Sequence, residues 1–425
     1  MPQTPGTNQW VVTSAFDFQT ALTAVETNST LNTIILTKDI TTPSSIDGFK
    51  LPKKIAHPSK KLVIQGNNST VSAKSGQTQA LLERAFTSAA PPASFTDLRD
   101  QIVINDLNLY GLPAANPNIE GLRIEGASNV IINDCNFTAL GYGVILSSVQ
   151  TGMVNNCIAQ DIFVTAYTTT STNAWNNPGT PLFSVSSTYS RNITFNKCTS
   201  SLNKDALYGF LIEKTANVVM NDCIGTGTTL GIIHHVLFDA QGGLMNQAGD
   251  ELINNFNIYN ITLNTPTKET DTCSVDTVTG PAAGLYLGAL IRIKAAGSLT
   301  ASGSYVKIDG LHLHPAVGAS TMISSTASKG FVDLYVYNVP YMNSGAQFAT
   351  DGGVILSNID CATPPATGTI WEFKETFDAN NIFTAGRWYN SVVPYYRLSD
   401  NFSFSSRSKK YLTNFMMINN KTVSQ

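Results

Sequence analysis

The sequence predicts an all-β solenoid, a coil of short parallel strands with an N-terminal capping helix and a C-terminal aromatic-rich module. Three observations predict it. One apolar quartet recurs nine times, its copies lie about one rung apart, and Asn, Ser, Thr and Gly fill the intervals. Each quartet places apolar or small residues at −5, −3, 0 and +2 around a centre. The clearest copies are Ile102, Ile104, Leu107, Leu109; Val130, Ile132, Cys135, Phe137; and Ile193, Phe195, Cys198, Ser200. Others are Val218, Met220, Cys223, Gly225; Phe256, Ile258, Ile261, Leu263; and Val306, Ile308, Leu311, Leu313, with weaker copies centred on Cys157, Val339 and Ile359. The centres are separated by 28, 22, 41, 25, 38, 50, 28 and 20 residues. Residues two apart on a strand share a face, so −5 with −3 and 0 with +2 are two short strands. The change of phase between −3 and 0 marks a bend, and a repeat of this length built from such strands is a stacked solenoid.

The elements follow in chain order. Residues 14–27 carry Phe16, Phe18, Ala21, Leu22 and Val25 at helical spacing behind Ser14, a suitable N-cap. A short amphipathic helix there covers the first rung, whose strand edges and apolar interior are otherwise open. Strands at 33–36 and 61–64 begin the coil. Residues 1–60 are therefore read as the N-terminal cap and first strands, 61–363 as the coil, and 364–425 as a separate cap or association module. The last segment lacks the quartet and holds twelve aromatics, about twice the density of the chain's 9%. Such a density suits self-association, and a cyclic assembly, a homotrimer, is expected.

Three intervals exceed one turn of coil and are read as long loops on one face. The first contains Tyr167 and, in an almost wholly polar run, Trp175. The second contains His234 and His235, and the third spans 265–280 before an extra strand near 287–293. Trp175, with Tyr167 beside it, is a candidate glycan-binding platform, because an aromatic ring stacks on a sugar while polar neighbours bond its hydroxyls. An anchor folded back on the coil is an equal reading of Trp175.

Composition excludes several classes. The net charge of −3 with 13% charged residues argues against nucleic acid as a partner. No apolar run reaches the roughly 18 residues of a membrane span, so no membrane insertion is expected. Met1-Pro2-Gln3-Thr4-Pro5 gives no basic start and no apolar core follows, so no secretory signal is expected. Cys135, Cys157, Cys198 and Cys223 share one rung position and should stack inside as free thiols. No CxxC or Cys/His spacing suggests a metal, and no cofactor is expected.

Rungs such as Asn129-Val130-Ile131-Ile132-Asn133-Asp134-Cys135-Asn136-Phe137 resemble right-handed parallel β-helix proteins of the pectin-lyase-like superfamily, which includes polygalacturonases, pectate lyases and phage tailspikes. The resemblance covers residues 62–361. The polygalacturonase Asn-Thr-Asp-Gly motif is similar to Asn118-Ile119-Glu120-Gly121, with Glu in place of the catalytic Asp. Gly-Asp-Asp falls on Gly141-Tyr142-Gly143, without either carboxylate, and the His-Gly motif falls on Gly152-Met153. Arg-Ile-Lys occurs as Arg292-Ile293-Lys294, later than the family spacing. Glycoside hydrolysis uses two carboxyl groups flanking the bond, and on this reading Glu120 stands without its partners. Candidate catalytic residues are thus Glu120, Asp205, Asp239, Arg292 and Lys294. Glu213, Asp250, Glu251 and the two histidines are further polar groups of the central rungs.

The function this predicts is a viral or phage structural spike or fibre protein on the virion surface. It would bind a host-surface glycan and other virion proteins. The alternative is a polysaccharide-degrading enzyme, a glycoside hydrolase or lyase, secreted or carried as a tailspike depolymerase. The reading leans away from catalysis.

Overall fold

The computed structural model describes residues 8–86, 99–112, 118–170, 176–177, 180–181, 190–202, 208–213 and 215–226, and beyond them strands at 233–236, 255–264, 288–295, 305–314, 331–338, 353–361, 396–398, 417–418 and 421–422. The chain is an all-β parallel β-helix solenoid. Its residues form two compact units, 1–202 and 203–425.

In the first unit each full rung has three strands, one more than the quartet announces. The first stack runs through Gln9–Val12, Thr33–Leu36, Lys61–Gln65, Gln101–Asn105, Asn129–Asn133, Gly152–Asn155 and Ser190–Asn196, all parallel. The second runs through Ile40–Thr41, Thr70–Ser72, Asn108–Tyr110, Asn136–Thr138, Ile158–Ile162 and Thr199–Leu202. The third contains Phe49–Lys50, Leu82–Arg84, Glu120–Ala127, Tyr142–Val149 and Thr165–Thr170. The quartets stack in register: Ile102 on Val130 and Ile104 on Ile132 and Val154, then Phe195.

The bend has a plain cause. At position −1 stand Asp106, Asp134, Asn156 and Lys197, with φ of 51°, 54°, 51° and 53°. This left-handed conformation turns the chain sharply, and Asn and Asp tolerate it better than most residues. One corner residue bonds the next, as Asn156 Nδ2 donates to Asp134 Oδ1. Beside the corners an amide ladder climbs the outer face of the first stack. Asn133 donates to Asn105 and Asn155 to Asn133, each at 2.8 Å, while Asn105 donates to Gln65 at 3.2 Å.

Inside, the four cysteines of the quartet centres, Cys135, Cys157, Cys198 and Cys223, are buried free thiols. Each donates a weak bond to a carbonyl, such as Cys198 Sγ to Val154 O at 3.1 Å. At +2 the side chains shrink from Leu109 and Phe137 to Ala159 and Ser200. Tyr167 fills the space, its ring 6.5 Å from Phe137 and 5.8 Å from Phe195. At the edge of the core lies a buried ion pair. Arg84 Nη2 donates to Asp100 Oδ2 at 2.8 Å and to Lys53 O at 3.0 Å.

The capping helix spans Ala15–Ala24. Ser14 Oγ accepts from Asp17 N at 3.1 Å, and Trp10 Nε1 ties Asp17 Oδ1 to the first strand at 2.8 Å. Phe18, Ala21, Leu22 and Val25 are buried, but Phe16 is 78% exposed. Two residues before Phe18, Phe16 lies about 200° around the helix and so faces solvent.

In the second unit, Thr215–Asn221 and Ile224–Thr226 pair with Asn255–Asn264, which pairs with Tyr305–His314 and then Gly353–Cys361. Asn255–Asn264 and Tyr305–His314 run strand, corner and strand without a break through left-handed Asn260 and Gly310, while left-handed Asp222 separates two strands. A second stack joins Tyr208–Glu213, Ile233–Val236, Gly288–Ala295 and Phe331–Asn338. The copy centred on Val339 is therefore corrected: Leu334 and Val336 belong to this stack and not to the quartet strands. The copy at Ile359 does align with Leu311. Within 364–425 only three two- or three-residue strands are described, so the aromatic module lies outside the described residues.

Candidate functional site

The third stack carries a cluster of charged side chains paired with one another. On strand Glu120–Ala127, Leu122 and Ile124 are buried in the coil, and Arg123 and Glu125 take the opposite side of the strand, Arg123 half-buried and Glu125 buried. Register aligns Lys50, Glu83 and Arg123 in one column and places Tyr142 beside Glu120.

Arg123 is the centre of the group. Its Nη1 donates to Glu120 Oε1 and Oε2 at 3.0 and 3.3 Å, and its Nη2 and Nε donate to Glu125 Oε1 at 3.1 and 3.4 Å. Glu125 also accepts from Phe86 N at 3.1 Å through its other oxygen. Lys50 Nζ donates to Glu83 Oε2. The guanidinium side chain is 34% exposed and that of Glu120 21%. Arg123 and Glu120 are half-buried and reachable, whereas the Glu125 side chain is 6% exposed and buried.

Burial raises Glu120 above the usual glutamate range; Arg123 opposes this, and the charges of Glu83 and Glu125 reinforce it. Arg123 itself would be lowered by burial, but Glu120 and Glu125 outweigh that and raise it. Tyr142 is raised by burial and by the Glu120 charge. A carboxyl that keeps its proton at higher pH can donate it, and carboxylates beside it can accept one.

Glu120 therefore does not stand alone, as its motif suggested. Glu83 and Glu125 are its acidic neighbours, supplied by the preceding rung and by its own strand. The alternation Leu122-Arg123-Ile124-Glu125 could have announced two charges on the outer face. Glu83 could not be found that way, because its pairing depends on how the 82–120 interval folds.

Tyr167 is a correction. It does not reach a glycan from a loop: it is buried on strand Thr165–Thr170, its hydroxyl donating between Cys157 O at 3.0 Å and Thr199 O at 3.1 Å. The run Thr165-Ala166-Tyr167-Thr168-Thr169-Thr170 looked polar, yet β-branched and aromatic residues are strand formers. Trp175, Asp205 and Asp239 lie outside the described residues. Arg292 and Lys294 lie on strand Gly288–Ala295, in register with His234 and Val236 on one side and Tyr335 and Tyr337 on the other. Glu120 and the Arg292–Lys294 strand fall in different units, described separately. Among the described residues no group of three His, Cys, Asp or Glu could hold a metal, and no helix is long and apolar enough to cross a membrane.

No family model matches the chain. No curated protein matches it either. Among solved structures it is similar to tailspike protein 3 of bacteriophage CBA120, at 11% identity and a TM-score of 0.42. The match covers 92% of this chain but 59% of the tailspike, so the chain spans less than two thirds of that protein's length.

Proposed function

We propose that this protein is a spike or fibre component of a virus or phage particle that contacts host-surface glycan through the outer face of its third stack. The observation that supports this most is the Glu120–Arg123–Glu125 group beside Tyr142. It presents a preordered guanidinium–carboxylate group on a chain with few charges, with Arg123, Glu120 and Tyr142 half-buried and Glu125 buried. Sugars are recognised by such rigid polar groups set beside a ring face. On this reading the particle surface is its location, and residues 364–425 join it to other copies as a homotrimer and to other virion proteins.

A second reading is favoured by one specific observation. Glu120, raised above the usual range and flanked by Glu83 and Glu125, has what a proton donor to a glycosidic oxygen needs. Incubating the protein with the polysaccharide of a host it attaches to separates the two. A binder retains the polymer and liberates no reducing ends, and Arg123→Ala lowers retention at least tenfold. Chain cleavage lost a hundredfold in a folded Glu120→Ala protein would replace binding by catalysis.

A further inference from the structure

We infer that the ligand of the third-stack face is an uncharged polysaccharide and not a polyuronate or other polyanion. This rests on the glycan reading above. The reason is how the cations of the face are already used. The Nε–Nη2 edge of Arg123 that would grip an anionic carboxylate already lies on Glu125, and Nη1 is bonded to both oxygens of Glu120, so the guanidinium charge is already matched by two carboxylates. Lys50, the other cation of the column, is bonded to Glu83. Three carboxylates against two paired cations leave the face acidic, and a uronate arriving there meets like charge within a half-buried setting where screening is weak.

The rungs above point the same way. In register with Arg123 stand Ile145 and then Thr168, and in register with Glu125 stand Ser147 and Thr170. Ile145, Ser147 and Thr168 are buried, and none of the four adds a cation to the face.

The test uses the full chain and affinity electrophoresis through gels containing polygalacturonate or, separately, neutral galactan, glucan and mannan. A neutral polymer should retard the protein, and polygalacturonate should not. The double variant Glu120→Gln with Glu125→Gln frees the guanidinium, and polygalacturonate binding should rise at least tenfold and weaken with salt. Thermal melting confirms that the variant is folded, and Arg123→Lys in the double variant should reverse most of the gain. Retardation of the wild type by polygalacturonate above the neutral polymers would overturn the inference while leaving the glycan reading in place. So would a folded double variant with no gain. A wild-type protein retarded by no polymer would overturn the glycan reading and this inference together.

Discussion

Tyr167 and Arg84 show how much single side chains decide in a coil one side chain deep. Tyr167→Phe removes one buried hydroxyl bond and should cost about 1 kcal/mol, whereas Tyr167→Ala opens the space between Phe137 and Phe195 and should cost about 3–5 kcal/mol. Denaturant unfolding measures both, and neither should alter glycan binding. Asp100→Ala strands a fully buried guanidinium and should cost about 3–5 kcal/mol. The stacked thiols should ignore a water-soluble thiol reagent in the native protein and all react once it unfolds. Cys135 in particular is raised well above the ordinary thiol range, chiefly by its bond with Cys157 and then by burial. At Glu120 the sign runs the other way from a salt-bridged acid. Its folded form keeps the proton to higher pH than the unfolded chain, so stability falls as pH rises from the usual glutamate range through the raised one. Glu120→Gln should flatten the stability–pH curve in that window; an unchanged slope would contradict the assignment. Glu120 was legible because a family motif pointed to it. Arg123 and Glu125 were in plain sight but looked like ordinary outward residues, since only register shows which charges become neighbours.

At the scale of the element, the corner was legible and the third strand was not. The quartet changes phase at −1, and the structure puts a left-handed residue there in rung after rung. Lys197 is the exception among Asn, Asp and Gly, and Lys197→Gly should hold or raise the melting temperature. Lys197→Ile should cost about 1–2 kcal/mol, because a β-branched residue at φ near 53° is strained. Ile132→Asp buries a lone charge between Ile104 and Val154 and should cost several kcal/mol, enough to unfold the coil. The third stack escaped the pattern because its strands vary in composition, from Leu82-Glu83-Arg84 to the threonine-rich run at Thr165–Thr170, and because loops of unequal length precede them. Unequal intervals hide a repeat from the eye but not from stacking, which needs only that each strand find the one before it.

For the whole molecule, rungs that contact only their neighbours make the coil additive, so its surface is a set of columns read across rungs rather than along the chain. The proposed glycan face is one such column set, and the proposed trimer is a separate claim resting on residues 364–425. Full-length protein should sediment with the mass of three chains, and a chain ending at Thr363 as one. A full-length monomer at micromolar concentration would rule the trimer out without touching the face. The face itself is tested most directly by carboxyl footprinting: carbodiimide labelling of the folded protein, with and without a bound neutral polysaccharide, read peptide by peptide. Glu120 is reachable on the third stack, while the exposed acids Asp39 and Asp161 lie away from it and serve as controls. The account predicts that the polymer shields Glu120 and leaves Asp39 and Asp161 labelled as before. Full labelling of Glu120 in a protein shown to be saturated with polymer would contradict it.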